Sequence, residues 1–386
     1  MLPTPRRPGV NATPAAGAVF TTVLTRGPLS RPELARLTGL SPAAVTKAVK
    51  PILAAGYLEE VPQEERTAVG AGRPAHPLMI RPEREFFAGI KVTGTELIGV
   101  VTDLRAGIRT AARQSIERPA DVAHVVAAIA GLAREMLVGY ADRTQCLGLS
   151  ISGDVDSANG TVRYTPFLGW RDVDLGALVQ RATGLTVTVE NDVKALTVAE
   201  HWFGEGVGAD NFALATVGAG IGCGLVVNGR LVAGGYGVAG ELGHIPVDRN
   251  GPDCPCGGRG CVEAIASERA IVAKARAVTG EPALDMAGAV DRAHAHDPAL
   301  RAVFAEAGHA IGLGIAALVN LTGPERVVVS GEGVAAYDLF EEHLRAAFGA
   351  QVFGAASACP LVVRPLPFEE WARGAAAVSI QRLFAT

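Results

Sequence analysis

The stretch Glu241 to Ala264, ELGHIPVDRNGPDCPCGGRGCVEA, decides how the rest of the chain is read. His244, Cys254, Cys256 and Cys261 gather three thiols and one imidazole within eighteen residues. Thiolate sulfur and imidazole nitrogen are the donors that complete a tetrahedral zinc shell, and Gly257, Gly258 and Gly260 let so short a loop wrap it. Four protein donors leave no open position for an activated water, so the reading is a structural Zn2+ in a knuckle. A redox pair or a chance cluster is the alternative. Three of the six cysteines fall between positions 254 and 261, which suits a reduced compartment and a metal site better than a disulfide framework.

Working outward, apolar strands alternate with Ala-rich helices from Phe86 onward: FAGIKVTG, LIGVVTDL, VAHVVAAIAGLAREML, QCLGLSISGDV. Strand, strand, helix, strand predicts a mixed α/β sheet with helices packed on it. A second series of the same kind begins near Asn211 with FALATVGAGIGCGLVVNG and ends in RVVVSGEG. Two copies of one plan predict a two-lobed body over residues 85–386, with lobes at roughly 85–192 and 193–386 and a ligand cleft between them.

Residues 1–80 read differently. In SRPELARLTGLSPAAVTKAVKPIL, from Ser30 to Leu53, Ser30 and Glu33 form a capping box, Leu34 and Leu37 face inward, and Gly39 stops the helix. Ser41 and Pro42 start a second helix whose buried face is Val45, Val49, Ile52 and Leu53. This is helix-turn-helix spacing, and it turns Ser41, Ala43, Ala44, Thr46, Lys47 and Lys50 toward a DNA major groove. The strand-like segments from Gly56 and Ala75 flank a polar tip, as in a winged helix-turn-helix, and Gly72-Arg73 at that tip is a minor-groove probe.

Glu241-Leu-Gly-His244 followed by Cys-x-Cys-Gly-x-x-Gly-Cys-x-Glu, ending at Glu263, resembles the signature of the ROK family of repressors, open reading frames and sugar kinases. The likeness extends to GLSISGDVD from Gly148, VENDVKALTVAE from Val189 and GAGIGCG from Gly218, and the N-terminal module matches the repressor branch. The resemblance implies an actin-like ATPase fold that takes a hexose-type ligand and assembles as a homodimer or homotetramer. It implies that Asn191, Asp192, Glu241, His244 and Glu263 meet sugar hydroxyls, with His244 also ligating the metal through its other ring nitrogen. It makes Asp192 the counterpart of the kinases' catalytic base, so the alternative function is an ATP-dependent, glucokinase-like sugar kinase with a fused DNA-binding domain.

Against that alternative, the kinases' phosphate segment, approximately Asp-x-Gly-Gly-Thr, is here Lys91-Val-Thr-Gly-Thr95, and a lysine cannot direct magnesium. The second segment, Gly218 to Gly224, is either an anion cradle or a tight turn, while Ser330-Gly-Glu-Gly333 puts an acid where a nucleotide loop needs glycine. The expectation is a non-enzyme without ATP: a sugar-released repressor of carbohydrate genes whose partners are double-stranded DNA, a small sugar and a second copy of itself. The charge distribution agrees, since residues 1–80 carry nine Lys and Arg against five Asp and Glu within a chain of net charge -4. No unbroken apolar run approaches the roughly 20 residues of a membrane span, and no signal peptide opens the chain, so the expected location is the cytoplasm.

Overall fold

The computed structural model describes Val10 and residues 13–61, 76–117 and 120–384. Helix α1 (Pro14–Arg26) starts at Thr13, whose hydroxyl accepts from Ala16 N–H at 3.1 Å, and it buries Val19, Phe20, Val23 and Leu24. Helix α2 (Arg31–Thr38) has the Ser30–Glu33 capping box and ends at Gly39, where φ is 69°. Helix α3 (Pro42–Ala54) starts at Ser41 and buries Val45, Ala48, Val49 and Ile52. Leu37 and Leu53 are only partly covered. Strands β1 (Leu58–Glu60) and β2 (Leu78–Ile80) then pair antiparallel, Leu58 against Ile80.

Strands β3 (Phe86–Val92), β4 (Glu96–Asp103) and β5 (Ile108–Ser115) form an antiparallel meander, followed by helix α4 (Val122–Met136) and strand β6 (Thr144–Ile151). A small sheet of β7 (Asp154–Asp156), β8 (Thr161–Tyr164) and β9 (Arg171–Val173) precedes α5 (Leu175–Thr183), β10 (Thr186–Asn191) and α6 (Asp192–Phe203). The main sheet has the order β5-β4-β3-β6-β10, with β6 and β10 parallel to β3. Helix-linked parallel strands bury both faces, and β3 is accordingly buried at every residue.

The second compact unit, Ala209–Pro367, repeats the plan. Strands β11 (Phe212–Val217), β12 (Ile221–Val227) and β13 (Arg230–Leu231) form the meander, and helices α7 (Val262–Ala266), α8 (Glu268–Thr279), α9 (Met286–His294) and α10 (Pro298–Thr322) follow. Strand β14 (Arg326–Ser330), helix α11 (Tyr337–Gln351) and strand β15 (Leu361–Val363) complete it in the order β13-β12-β11-β14-β15. The first strand of each series is central, its meander lies on one side and two parallel strands lie on the other. By length and composition α10 could cross a membrane, but its apolar window is 67% buried among the unit's other helices, with Gly308 and Gly312 set against carbonyls of α11.

The final helix, α12 (Glu369–Phe384), returns to the first unit, which comprises residues up to Gly208 and from Phe368. The sequence places a lobe boundary at 192 and assigns everything after it to the second lobe; the division instead falls after Gly208, and α12 packs on β3, β6 and α6. Backbone meets backbone there: a Cβ at Gly148 would lie 1.9 Å from Ala375 O, and one at Gly89 2.1 Å from Ala372 O. Only glycine permits that approach. The far end of α12 enters the core of the N-terminal helices. Phe384 lies 4.7 Å from Phe20 and 6.2 Å from Tyr57 between ring centroids, and its carbonyl accepts from Thr21 Oγ1 at 3.1 Å. The buried apolar residues of α1, α3 and β2 thus form one cluster with Phe87, Leu104, Ile380 and Leu383.

Candidate functional site

In the second unit, His244 ends a 3-10 turn, Leu242–His244, that lies against β12. The loop after it doubles back through bridges between Pro246 and Cys261 and between Asp253 and Arg259. Gly260 is the tightest point: its φ is 64°, and a Cβ would lie 1.6 Å from Asp248 O. The fold brings the four predicted ligands together, with donor atoms of His244, Cys254, Cys256 and Cys261 all within 4.8 Å of one another. Cys256 and Cys261 sulfurs are 3.8 Å apart, and Cys254 Sγ lies 3.6 Å from His244 Nδ1. A tetrahedron with metal–sulfur bonds of about 2.3 Å and a metal–nitrogen bond of about 2.0 Å has edges of about 3.8 and 3.5 Å, so the cluster could hold a metal ion of that geometry.

The bare thiols are unevenly poised. Burial pushes Cys254 up and Cys261 up to about 12, while the Gly258 N–H at 3.4 Å helps to hold Cys256 below the usual thiol value. A cation held by His244, Cys254, Cys256 and Cys261 would resolve this competition, because thiols that coordinate a cation give up their protons. His244 presents Nδ1 to the thiols and Nε2 to Glu241, 3.9 Å from Oε2. Two further acids line the turn between β11 and β12. Glu263 Oε2 accepts from Ile221 N–H at 3.0 Å, and Glu332 Oε2 occupies the space beside Gly218, 2.3 Å from where a Cβ would stand. The second glycine segment therefore has carboxylates against it, the wrong charge for cradling phosphate.

In the first unit, Asn191 caps α6: its side-chain oxygen accepts from Lys194 N–H at 3.2 Å and its amide nitrogen donates to Gly153 O at 3.0 Å. Asp192, the first residue of α6, is buried and ion-paired through Oδ2 with Lys91 at the end of β3. Ser152 Oγ donates to the same oxygen at 2.5 Å, and Val193 N–H donates to Oδ1 at 2.9 Å. Burial alone pushes this carboxyl up, but the Lys91 ammonium, the Ser152 hydroxyl and the Val193 N–H outweigh it and hold Asp192 below the ordinary carboxylate range. Lys91 Nζ also lies 5.1 Å over the Trp371 ring. Sequence spacing reads Lys91 as a missing magnesium ligand and does not reveal its pairing, and it passes over Ser152. The signal lies in sheet register, since β6 sets Ser150 against Lys91 and Ile151 against Asn191.

On α3, Ser41, Ala43, Thr46, Lys47 and Lys50 are exposed and Ala44 is half-covered. The Ser41 hydroxyl accepts from Ala44 N–H at 3.3 Å and Thr46 donates to Pro42 O at 2.9 Å, so Lys47 and Lys50 carry the free charge of this face. Gly72 and Arg73 lie outside the described residues.

A profile of the ROK family matches residues 87–382. The xylose repressor of Bacillus subtilis (strain 168) is 28% identical over 342 residues, covering 86% of this chain and 85% of its own. Among solved structures, a ROK family transcriptional regulator described as a homolog of E. coli Mlc superimposes with a TM-score of 0.81 at 28% identity over 97% of this chain and 96% of its own. A ROK family glucokinase from Streptomyces griseus, in complex with glucose and AMPPNP, reaches a TM-score of 0.67 at 27% identity over 77% of this chain and 99% of its own.

Proposed function

We propose that this chain, which belongs to the ROK family, is a sugar-responsive transcriptional repressor whose N-terminal helices read DNA and whose two α/β units sense a small carbohydrate. One observation carries the reading: the regulator is matched over 97% of this chain, whereas the glucokinase is itself matched over 99% of its length yet covers only 77% of this one. The fold of a sugar kinase is present with an added segment that the kinase does not supply.

Residues 1–80 act as a winged helix-turn-helix domain, and 85–386 carry effector binding and assembly. Helix α3 is the recognition helix, placing Ser41, Ala43, Ala44, Thr46, Lys47 and Lys50 toward the major groove, with Gly72 and Arg73 in the wing. Hydroxyl recognition is assigned to Asn191 and Asp192 in the first unit and to Glu241, His244 and Glu263 in the second. Carboxylate, amide and imidazole groups suit this work because a sugar presents O–H pairs in fixed directions. Zn2+ held by His244, Cys254, Cys256 and Cys261 supplies a structural cross-link. With Nδ1 committed to that cluster, His244 keeps Nε2 for a hydroxyl and has its ring orientation fixed.

The same residues argue against phosphoryl transfer. Asp192, the counterpart of the catalytic base, has an ammonium on it, and Glu332 stands against the glycine turn where phosphates would need backbone N–H groups. The protein works in the cytoplasm as a homodimer or homotetramer whose paired α3 helices reach successive half-sites of an inverted repeat. Bound sugar favours the state with low DNA affinity. Fluorescence anisotropy of the full chain on its own upstream DNA, at two salt concentrations and with a panel of sugars, tests this. Salt-sensitive, sequence-preferring binding that one sugar releases is expected, and absence of any preferred DNA overturns the reading.

A further inference from the structure

Lys91 is 6% exposed, and its ammonium has three neighbours: the Asp192 carboxylate at the start of α6, the Ser152 hydroxyl at 3.3 Å after β6, and the Trp371 ring at the start of α12. A lysine is a costly choice for such a place, since burying it sacrifices hydration and side-chain freedom. Asp192 Oδ2 accepts from Lys91 and Ser152, while among the described residues Oδ1 accepts only from Val193 N–H. A carboxylate has about four lone-pair positions, so one acceptor position on Oδ1 is left for a ligand.

We infer that Lys91 is a positioning residue that fixes Asp192 as a hydrogen-bond acceptor for one uncharged sugar hydroxyl and withholds it from acting as a base. The inference rests on the assignment of hydroxyl recognition to Asp192. With Oδ2 held by an ammonium, Asp192 receives a hydroxyl's hydrogen bond without drawing off its proton, which is the difference between sensing a sugar and activating it. The pair is also neutral as a whole. A phosphate or carboxylate on the ligand would confront the Asp192 oxygens, and an amine would confront Lys91, so this position selects a plain hydroxyl over either charged group. Lys91 is the charge that acts most strongly on Asp192. The neighbouring Glu190 on β10 is 3.7 Å from Arg382 of α12 and is also influenced by Lys194 of α6.

The test is calorimetric titration of the full-length protein with D-xylose, D-glucose, glucose 6-phosphate and D-glucosamine across about pH 5.5 to 8.5. The native protein is expected to bind a neutral sugar with flat affinity across that range and the charged forms about tenfold more weakly or worse. Lys91→Met leaves a buried carboxyl without its counter-ion, so its affinity should fall about tenfold or more and recover as pH rises. A purely structural lysine would not impose that pH profile. The double variant Lys91→Met/Asp192→Asn replaces the ion pair by neutral groups of similar size, which buried sites tolerate. It should bind weakly and without pH dependence, and it carries the test if the single variant does not fold. Native-like, pH-flat affinity in Lys91→Met, or native-like affinity in the double variant, overturns the role of Lys91 while leaving the sensor reading intact. If the native protein binds none of the four sugars, the sensor reading and this inference fall together.

Discussion

Replacing Gly148 by alanine adds one methyl group, yet the structure gives it nowhere to go. The new Cβ would lie 1.9 Å from Ala375 O and 2.4 Å from Ala375 C, where ordinary contact begins at about 3.4 Å. The obstruction is main chain, so no rotamer relieves it, and α12 would have to back away from β6 by roughly 1 Å or more. It is held against doing so at two other points. Gly89 sits under Ala372 O, and Gly374 of α12 lies against α6, 2.8 Å from Ala195 C by the same measure. Overpacking typically costs about 1–3 kcal/mol, and a clash of backbone on backbone belongs at the upper end, about 3 kcal/mol. For a unit of this size that corresponds to a fall in melting temperature of roughly 6–12 °C. Calorimetric melting measures it, and Gly131→Ala is the control: Gly131 lies inside α4 with nothing within 4 Å of an added Cβ, so the same methyl should stabilise by up to about 1 kcal/mol. A Gly148→Ala protein within about 1 kcal/mol of native, or a Gly131→Ala protein that loses as much, would refute the close-packed seam.

Chelating the metal, or replacing Cys256 by serine, should release about one equivalent of zinc per chain and abolish the sugar response while leaving operator binding in place; atomic emission and anisotropy read the two effects, and a metal-free protein that still responds contradicts the role given to His244. Lys47→Ala and Lys50→Ala should each weaken DNA binding and reduce the slope of log affinity against log salt by about 1, and an unchanged slope removes that lysine from the phosphate contacts. The carboxyl of Asp192 is held below its ordinary value of 3.8 by Lys91, so its contribution to stability is complete above that value and is lost as pH falls through the depressed one. The stability gap between native protein and Asp192→Asn, followed by urea unfolding, should therefore stay constant from pH 8 to about pH 5 and narrow only in stronger acid. Narrowing near neutrality would mean that the ion pair does not form.

What could be read from the sequence depended on how far apart the interacting residues lie. Ser30 with Glu33 and Ser41 with Ala44 act over three positions, and the Cys3His cluster closes within one loop, so each is visible as local spacing. The repeated strand series is also legible, because alternation of strand and helix follows from burial on both sheet faces. Lys91 and Asp192 are 101 positions apart, and only the register of three strands brings them together. Helix α12 is hidden for a different reason. It is buried on nearly all sides, so its Ala and Gly residues show no amphipathic stripe, and its return to the first unit depends on glycines in β3 and β6 whose partners are hundreds of residues away. Glu332 is recognisable as an acid out of place, but its position beside Gly218 is a fact of packing alone.

The placement of Phe384 also sets an order of events during synthesis. Helices α1 to α3 leave the ribosome well before the ring that completes their core, with the Phe384 carbonyl accepting a hydrogen bond from Thr21 across 363 positions. At about 5–20 residues per second the wait is roughly 20 to 70 s. Throughout that interval Phe20 and Tyr57 lack their aromatic partner, and a chain whose translation stops early never acquires it. Truncated products therefore cannot present α3 on its finished support, and the face that carries Lys47 and Lys50 is completed only in chains that carry both α/β units with them.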